Sequence, residues 1–166
     1  MTDDSLIDAD SAARVGSVAA RATGDVDRLQ WQRWAAAVGD HNPLWFDADY
    51  ARASDYDDVI CPPLYLQYAV LGVASLEGLR PDGSSGAVSG GLAFPRAPRR
   101  MAGGESTTFH LPSYHRDEVE MVRTISSIVE KHGRSGRFVL VTWHTTYRNQ
   151  RAELVAEATT SMIARP

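Results

Sequence analysis

The segment from Val38 to Ala51 contains the residues of this chain whose types and spacing are best suited to acid–base chemistry. Asp40 places a carboxylate just before the turn-forming pair Asn42-Pro43, and Trp45 follows Asp40 by five positions. A carboxylate at this position can accept a proton from water, or it can accept hydrogen bonds from the backbone amides of the turn. Trp45 cannot relay a proton, because its indole nitrogen only donates. These residue types make Asp40 a candidate for acid–base chemistry and Asn42 and Trp45 candidate ligand contacts, with capping of the turn as the other interpretation.

Further candidate ligand contacts lie at the beginning of an apolar segment, at Cys61, Pro63, Leu64 and Tyr65. Cys61 is the only cysteine, so an internal disulfide is excluded, and we expect a small buried side chain there rather than a nucleophile. Pro63 has no N–H and cannot donate a backbone hydrogen bond. Tyr65 lies on the apolar segment, where its buried hydroxyl needs a partner, which can be the core or a ligand.

Length and composition limit the class of protein. A chain of 166 residues with 43% hydrophobic and 23% charged residues fits one globular domain. The net charge of −4 disfavours nucleic-acid binding. The acidic N-terminus does not resemble a signal peptide, and no stretch supplies the roughly 20 apolar residues of a membrane span. We expect a cytoplasmic protein with a flexible tail over residues 1–12 and a single domain over residues 13–166.

The first half of the chain shows mainly helical patterns. A short strand is predicted over Ala13–Ala22, and Thr23-Gly24-Asp25 is expected to end it. Asp25 is then the expected N-cap of a helix whose apolar residues recur over Val26–Val38, with Gly39 as its C-cap glycine. After the Asn-Pro turn, a short helix is predicted around Asp49–Ala53.

The second half combines one apolar helix with long strands. Residues Leu64–Gly78 are apolar on nearly every side, which predicts a helix buried on most of its faces, and Pro81–Gly91 is expected to be a loop. Alternating patterns separated by short turns then predict an antiparallel meander. Its strands are expected at Ser106–Leu111, Glu118–Lys131, Arg137–Arg148 and Glu153–Ala164. A sheet wrapped around one central buried helix is the hotdog architecture, an α+β class, whose exposed edges favour dimerisation.

Several motifs resemble those of a known family. Gly39 to Asp47, with the Tyr50-Ala51 pair, resembles the signature Gly-Asp-x-Asn-Pro-x-His-x-Asp of the MaoC-like (R)-specific enoyl-thioester hydratases and β-hydroxyacyl-thioester dehydratases. Pro62-Pro63 stands where those enzymes enter the hotdog helix, and Glu130–Gly136 and Thr145–Gln150 are also similar to the family. The resemblance covers most of the chain after residue 13 and indicates the branch of FAS1-like dehydratases, or MaoC dehydratase N-terminal domains.

The resemblance implies the addition of water across an α,β-unsaturated thioester, or its reversal. In the family, an Asp and a His hold the reacting water, and a glycine N–H at the start of the hotdog helix polarises the thioester carbonyl. Asp40 matches the catalytic Asp, but Trp45 stands at the His position and Pro63 at the glycine position. Two of these three catalytic elements are therefore missing.

Family members built from two hotdog halves offer an explanation for this loss. In them, one half carries the Asp and the His, and the other half shapes the cavity for the acyl chain. The resemblance thus implies an incomplete, cavity-shaping subunit of a homodimer or of a heterodimer with a catalytic hotdog subunit. Its ligand is expected to be an acyl thioester of coenzyme A or of an acyl carrier protein.

Three arginines, Arg96, Arg99 and Arg100, cluster in a proline-containing stretch. Guanidinium groups bind phosphate in a bidentate manner, so this cluster is a candidate contact for coenzyme A phosphates or for an acidic carrier protein. A solvated loop is the other interpretation. The histidines show no metal-ligand spacing, and neither a metal nor another cofactor is predicted.

Three other functions stay open. The chain can be a stand-alone hydratase that uses Asp40 with an unusual proton donor. It can be a hotdog thioesterase that directs a carboxylate at the thioester, or a non-catalytic module that binds acyl thioesters. Assays on crotonyl-CoA and on a saturated acyl-CoA distinguish the three. Hydration of crotonyl-CoA indicates the hydratase, release of thiol from the saturated ester indicates the thioesterase, and neither reaction indicates the binding module.

Overall fold

A five-stranded antiparallel sheet forms the frame of the computed structural model, which describes residues 4–72, 77, 79 and 91–166. Its strands are Val18–Asp25 (β1), Arg99–Phe109 (β2), Glu118–Gly133 (β3), Gly136–Asn149 (β4) and Leu154–Arg165 (β5). They are hydrogen bonded in the order β1-β3-β4-β5-β2, so β1 and β2 form the two edges. The expected α+β hotdog fold is confirmed, with an antiparallel sheet and the helix Leu66–Ala69 packed against it.

The helices all precede β2 in the chain. They are Ala9–Ala13 (α1), Arg28–Ala37 (α2), Ala48–Ala53 (α3) and Leu66–Ala69 (α4), with 3-10 turns at Pro43–Trp45 and Pro63–Tyr65. The N-cap of α2 is Asp27 rather than the expected Asp25, and its side chain accepts a hydrogen bond from the backbone N–H of Gln30. Gly39 follows α2 with a φ of +74°, as expected for a C-cap glycine.

The predicted meander is confirmed for its last three strands, which differ from the expected bounds by one or two residues. Strand β2 begins at Arg99, well before the expected Ser106. Its first half contains Gly103 and Gly104 and shows no apolar alternation, so local sequence cannot mark it as a strand. Pairing with β5 creates it instead, with a register shift between Ala102 and Gly104.

Strand β1 lies further along the chain than predicted. Ala13 belongs to α1, and the Thr23-Gly24-Asp25 triplet, expected to break the strand, pairs with Glu118–Glu120 of β3. The glycine is needed because α4 crosses β1 at this point. A Cβ built on Gly24 would lie 1.8 Å from the carbonyl oxygen of Ala69. The sequence shows that a glycine stands here. Only the packing shows that it is required by the close approach of the Ala69 backbone and not by a turn.

The apolar helix is shorter and more exposed than its sequence predicts. The helical residues end at Ala69, and Gly72 adopts a φ of +66°; residues 73–76 and 78 lie outside the described residues, as does most of the predicted loop over 81–91. Leu66 and Val70 are buried as expected, whereas the side chains of Leu64, Tyr68 and Leu71 are exposed. One chain therefore leaves an apolar side of this helix without cover.

Part of the segment expected to be a flexible tail contacts the sheet, from Asp4 onwards. Leu6 is buried among side chains of the second half of the chain, and its backbone N–H donates to the Glu130 carboxylate at 2.9 Å. Arg137 bonds the same carboxylate and Asp4. The apolar contact of Leu6 and the charged contacts among Asp4, Glu130 and Arg137 together hold this segment against the sheet. No helix among the described residues is long and apolar enough to cross a membrane.

Candidate functional site

Asp40 and Trp45 are in direct contact. The indole Nε1–H of Trp45 donates to Oδ2 of Asp40 at 3.0 Å, and the backbone N–H of Asn42 donates to Oδ1 at 3.2 Å. Both carboxylate oxygens are therefore hydrogen bonded within the motif. Trp45 is buried, so the indole forms part of the core while its nitrogen reaches the carboxylate.

Local backbone structure positions this pair. The chain turns after α2 through Gly39, and the Asp40 N–H donates to the Ala35 carbonyl at 2.9 Å. The Asn42 side chain caps the following 3-10 turn by accepting from the Leu44 N–H. The Trp45 carbonyl accepts from the Gln32 side-chain amide at 3.0 Å. Asp40 and Asn42 thus act as turn-capping residues, the alternative role that the sequence had left open.

A cavity of about 210 Å³ lies at the start of the hotdog helix. Cys61 and Pro63, two of the expected ligand contacts, line it together with Leu66 of α4. Its other lining residues are Tyr56, Ile60, Phe109, His110, Leu111, Pro112 and Ser113. Leu64 lines a smaller adjoining pocket that shares Pro63, Leu66 and Phe109 with the first.

The backbone at the helix start has few free donors. Pro62 and Pro63 carry no N–H, the Cys61 N–H donates to the Ser113 carbonyl at 2.8 Å, and the Tyr65 N–H donates to the Pro62 carbonyl at 2.9 Å. Leu64 therefore carries the nearest amide that could serve as a donor to a ligand. The thiol of Cys61 is buried, and burial raises its pKa well above the ordinary value, which keeps it protonated and unreactive.

The expected site residues form two groups rather than one. Asp40, Asn42 and Trp45 do not line the cavity, although Trp45 shares a core cluster with Cys61 and Tyr65. Tyr65 lies in an aromatic cluster, with its ring centroid 5.9 Å from that of Trp34 and 6.3 Å from that of Tyr68. Burial raises the pKa of Tyr65, so its hydroxyl stays protonated.

The three arginines lie far from this cavity within the chain. Arg99 and Arg100 begin β2 and pair with the end of β5, whereas Phe109 ends β2 beside the cavity. Ten residues of extended strand separate these ends by about 33 Å. Arg96 donates to the Ser5 carbonyl, and Arg99 bonds the Pro166 carbonyl. Binding of phosphate or of a carrier protein by these arginines stays a prediction. Their position implies that such binding would occur on a surface away from the cavity of the same chain.

Sequence reasoning missed the contribution of the loop between β2 and β3. Ser113 of this loop is buried, lines the cavity and anchors Cys61 through its carbonyl. Ser113 belongs to no catalytic motif. Its only sequence signal is its position directly after Pro112 and a few residues before β3. Its hydroxyl has no hydrogen-bond partner among the residues that the structure describes.

Two histidines, His144 and the cavity-lining His110, flank the carboxylate of Glu157. His110 and His144 each place Nε2 at 3.1 Å from a Glu157 oxygen, and these hydrogen bonds lower the pKa of Glu157. The neighbouring Ala156 faces the core, so alternation along β5 directs Glu157 outward. In the described part of the chain, no group of three or more potential ligands is arranged to hold a metal.

Comparison with known proteins gives consistent relatives. Residues 13–158 match the family model described as FAS1-like, dehydratase domain region. A UPF0336 protein from Parafrankia sp. (strain EAN1pec) is 32% identical over 140 residues, which cover 84% of this chain and 83% of that protein. A probable enoyl-CoA hydratase alpha subunit from Thermomonospora curvata is 31% identical over 130 residues, 75% of this chain but only 40% of that protein.

Solved structures share the fold. The ChsH1-ChsH2 complex from Mycobacterium tuberculosis contains a chain that superposes with a TM-score of 0.69 at 19% identity, covering 89% of this chain and 83% of that one. The C-terminally truncated HadBC (3R-hydroxyacyl-ACP dehydratase) complex from the same organism matches with a TM-score of 0.62 at 21% identity, covering 90% and 96%. Both structures are complexes of two different chains.

Proposed function

The chain belongs to the FAS1-like dehydratase family, within the MaoC-like hydratases and dehydratases, and from this premise we propose that it is the incomplete subunit of a two-hotdog enzyme. In this proposal a partner hotdog chain supplies the acid–base residues. The present chain shapes the cavity for the acyl group of a coenzyme A or carrier-protein thioester. The reaction is hydration of an enoyl thioester or dehydration of a 3-hydroxyacyl thioester.

The hydrogen bond from Trp45 to Asp40 carries the proposal. A hydratase needs one group that accepts a proton from water and a route that delivers a proton to the α-carbon. The indole can only donate, and it bonds Oδ2 of Asp40, so Trp45 cannot act as the second acid–base group. The second oxygen is hydrogen bonded by the turn amide of Asn42. This pair stabilises the loop and contains only one group that can accept a proton, the Asp40 carboxylate.

The helix start supports the same conclusion. Stabilising the enolate-like oxygen of a thioester requires a preorganised donor where the negative charge develops. The two prolines remove two such donors, and the flanking amides of Cys61 and Tyr65 already bond to carbonyl groups. A stand-alone hydratase would have to use the Leu64 amide together with a proton donor other than Trp45.

The exposed surface favours a hotdog partner. Strand β2 has 11 residues and is an edge strand among the described strands, an arrangement that favours pairing with another chain. Exposed apolar side chains occur both in the helical segment and on this strand: Leu64, Tyr68, Leu71, Met101 and Phe109. The similarity to chains from two-component complexes agrees with such a partner.

Reconstitution tests this function. The purified chain is assayed on crotonyl-CoA and on a saturated acyl-CoA, first alone and then with hotdog proteins encoded beside it. We expect no turnover by the chain alone, and hydration once a partner with an intact Asp-His pair is added. Removing the partner's histidine should then abolish activity. Full hydration by the chain alone, or thiol release from the saturated ester, would refute the proposal.

A further inference from the structure

Two polar side chains, those of Tyr56 and His110, lie on the wall of the cavity at the start of the hotdog helix. The other polar side chains of this wall are occupied or buried. The Cys61 thiol bonds the Pro62 carbonyl at 3.4 Å, and the hydroxyl oxygen of Ser113 is buried and has no access to the open space. Tyr56 and His110 are therefore the side chains through which this cavity can bond to a polar group of a ligand.

Glu157 fixes the imidazole of His110 in one orientation. His110 Nε2 lies 3.1 Å from Oε1 of Glu157, and His144 Nε2 lies 3.1 Å from the other oxygen of the same carboxylate. An ionised carboxylate only accepts, so His110 Nε2 carries the hydrogen of this bond. In the neutral imidazole, Nδ1 then has a lone pair and acts as an acceptor. The side chain of His110 is 36% exposed, so a ligand can reach it.

Tyr56 contributes a hydroxyl to the same wall. Its backbone N–H donates to the Ala51 carbonyl of α3 at 3.1 Å, and its ring packs against the core cluster that contains Trp45 and Cys61. A phenolic hydroxyl both donates and accepts. The wall thus offers one acceptor, from His110, and one hydroxyl, from Tyr56. Its other lining side chains are largely apolar: Ile60, Pro63, Leu66, Phe109, Leu111 and Pro112.

A ligand hydroxyl matches this pair of groups better than other common chain ends do. It can donate to the imidazole acceptor and accept from the phenol, whereas a ketone only accepts. Like charge disfavours a carboxylate, because Asp55 and Asp57 flank Tyr56 in the chain and Glu157 bonds His110. Hydrocarbon displaces water from both polar groups without replacing its hydrogen bonds, which lowers affinity.

We propose that this cavity binds an acyl chain that carries a hydroxyl group away from the reacting carbons, and that His110 and Tyr56 recognise this hydroxyl. Both are then specificity-determining residues, and the substrate class is an acyl thioester with a distal hydroxyl. A cavity of about 210 Å³ holds roughly seven non-hydrogen atoms at about 30 Å³ each, which corresponds to about six chain carbons and one oxygen. The inference rests on the proposed function, which makes the ligand an acyl thioester and assigns the reacting carbons to the partner chain.

Binding of three matched esters to the full-length chain tests this inference. N-acetylcysteamine thioesters of heptanoate, 6-oxoheptanoate and 6-hydroxyheptanoate are titrated at about pH 8, where free imidazole is neutral, and the dissociation constants are measured by NMR. One hydrogen bond to a neutral group corresponds to roughly two- to tenfold in affinity. We expect the ketone to bind about threefold, and the alcohol about tenfold, more tightly than heptanoyl. The ring nitrogens of His110 should shift in nitrogen NMR spectra with the alcohol but not with heptanoyl.

Two substitutions separate the two hydrogen bonds. Tyr56→Phe removes the donor and should abolish the advantage of the ketone over heptanoyl. His110→Phe removes the acceptor and should lower the affinity for the alcohol to that for the ketone, about a threefold loss. Chemical denaturation verifies that each variant folds. If one does not, the ring-nitrogen shifts of the wild-type chain decide whether His110 contacts the ligand.

His144 and Tyr50 provide matched controls. His144 bonds the same carboxylate as His110 but does not line the cavity, and Tyr50 is an exposed tyrosine of α3 that does not line it either. His144→Phe and Tyr50→Phe should therefore leave the affinity ratios unchanged.

Four results would overturn the inference: equal affinities for the three esters, an alcohol preference that survives in His110→Phe, ring nitrogens of His110 that do not respond to the alcohol, or no binding of any ester at millimolar concentration. The affinity ratios need no partner and no turnover, so they can fail while reconstitution succeeds, and the reverse.

Discussion

Replacing Asp40 in the assembled enzyme separates a catalytic carboxylate from one that only caps a turn. In the structure its two oxygens accept from the Trp45 indole at 3.0 Å and from the Asn42 amide at 3.2 Å. We therefore expect Asp40→Ala to destabilise the loop but to leave turnover of the complex within about tenfold, well short of the 10²–10⁴-fold that a general acid or base contributes.

The structural cost can be worked out from these two bonds. Both bonds are accepted by the carboxylate, and a hydrogen bond to a charged group contributes about 1.5–3 kcal/mol, although partial exposure of Asp40 reduces both contributions. Asp40→Ala should thus lower the free energy of unfolding by about 2–3 kcal/mol. Asp40→Asn is the matched control. It keeps one oxygen that can accept from Trp45 but turns an NH2 group toward the Asn42 N–H, so it should lose one of the two bonds, about 1–1.5 kcal/mol.

The assay follows hydration of crotonyl-CoA by the complex of this chain with its partner, after chemical denaturation and light scattering have verified folding and assembly. If Asp40 only caps the turn, the asparagine variant should turn over like the wild type. A catalytic carboxylate predicts the opposite, because neither replacement can accept a proton. A loss beyond about a thousandfold in both variants, with the complex intact, would show that this chain carries out the chemistry.

Three further predictions address packing, assembly and pH. Gly24→Ala places a Cβ 1.8 Å from the Ala69 carbonyl oxygen, so the backbone must shift. Chemical denaturation should show that the free energy of unfolding falls by about 1–3 kcal/mol. An unchanged denaturation midpoint would exclude this close approach. Met101→Lys adds a charge to the exposed edge strand β2 and should shift the complex toward monomers in light scattering, without lowering the Tm of the chain itself. The pKa of Glu130 is lowered, first by the Leu6 N–H and then by a neighbouring guanidinium. The ionised Glu130 carboxylate therefore stabilises the fold fully above the ordinary carboxyl pKa, and this stabilisation disappears as the pH falls through the lowered pKa. The Tm difference between wild type and Glu130→Gln should therefore shrink toward about pH 3, and a constant difference would contradict the assignment.

Local sequence was sufficient wherever a side-chain pattern repeats within one element. The strands from Glu118 to Arg165 alternate in polarity and are separated by turn residues, so their order and bounds follow from the sequence almost completely. The cap at Gly39 and the turn at Asn42-Pro43 were equally predictable, because the conformations of these residues are restricted by their own chemistry. The motif segment also pointed to the family.

Contacts between distant parts of the chain decided the rest. The strand character of β2 near Arg99 comes from pairing with β5, and the need for Gly24 comes from a helix more than forty residues later. The same holds for the site. Sequence placed Asp40 and Cys61 in one functional region, but the structure joins Asp40 to Trp45 and builds the cavity around Ser113 instead.

The sequence by itself determined the fold class and the family, since these depend on residue type and on short spacings. Only the tertiary structure decided which of the candidate site residues share a cavity and which groups remain without partners. The physical reason is that a cavity is bounded by segments far apart in the chain. The carbonyl of Ser113 meets the amide of Cys61 across 52 positions, and no local pattern encodes that meeting.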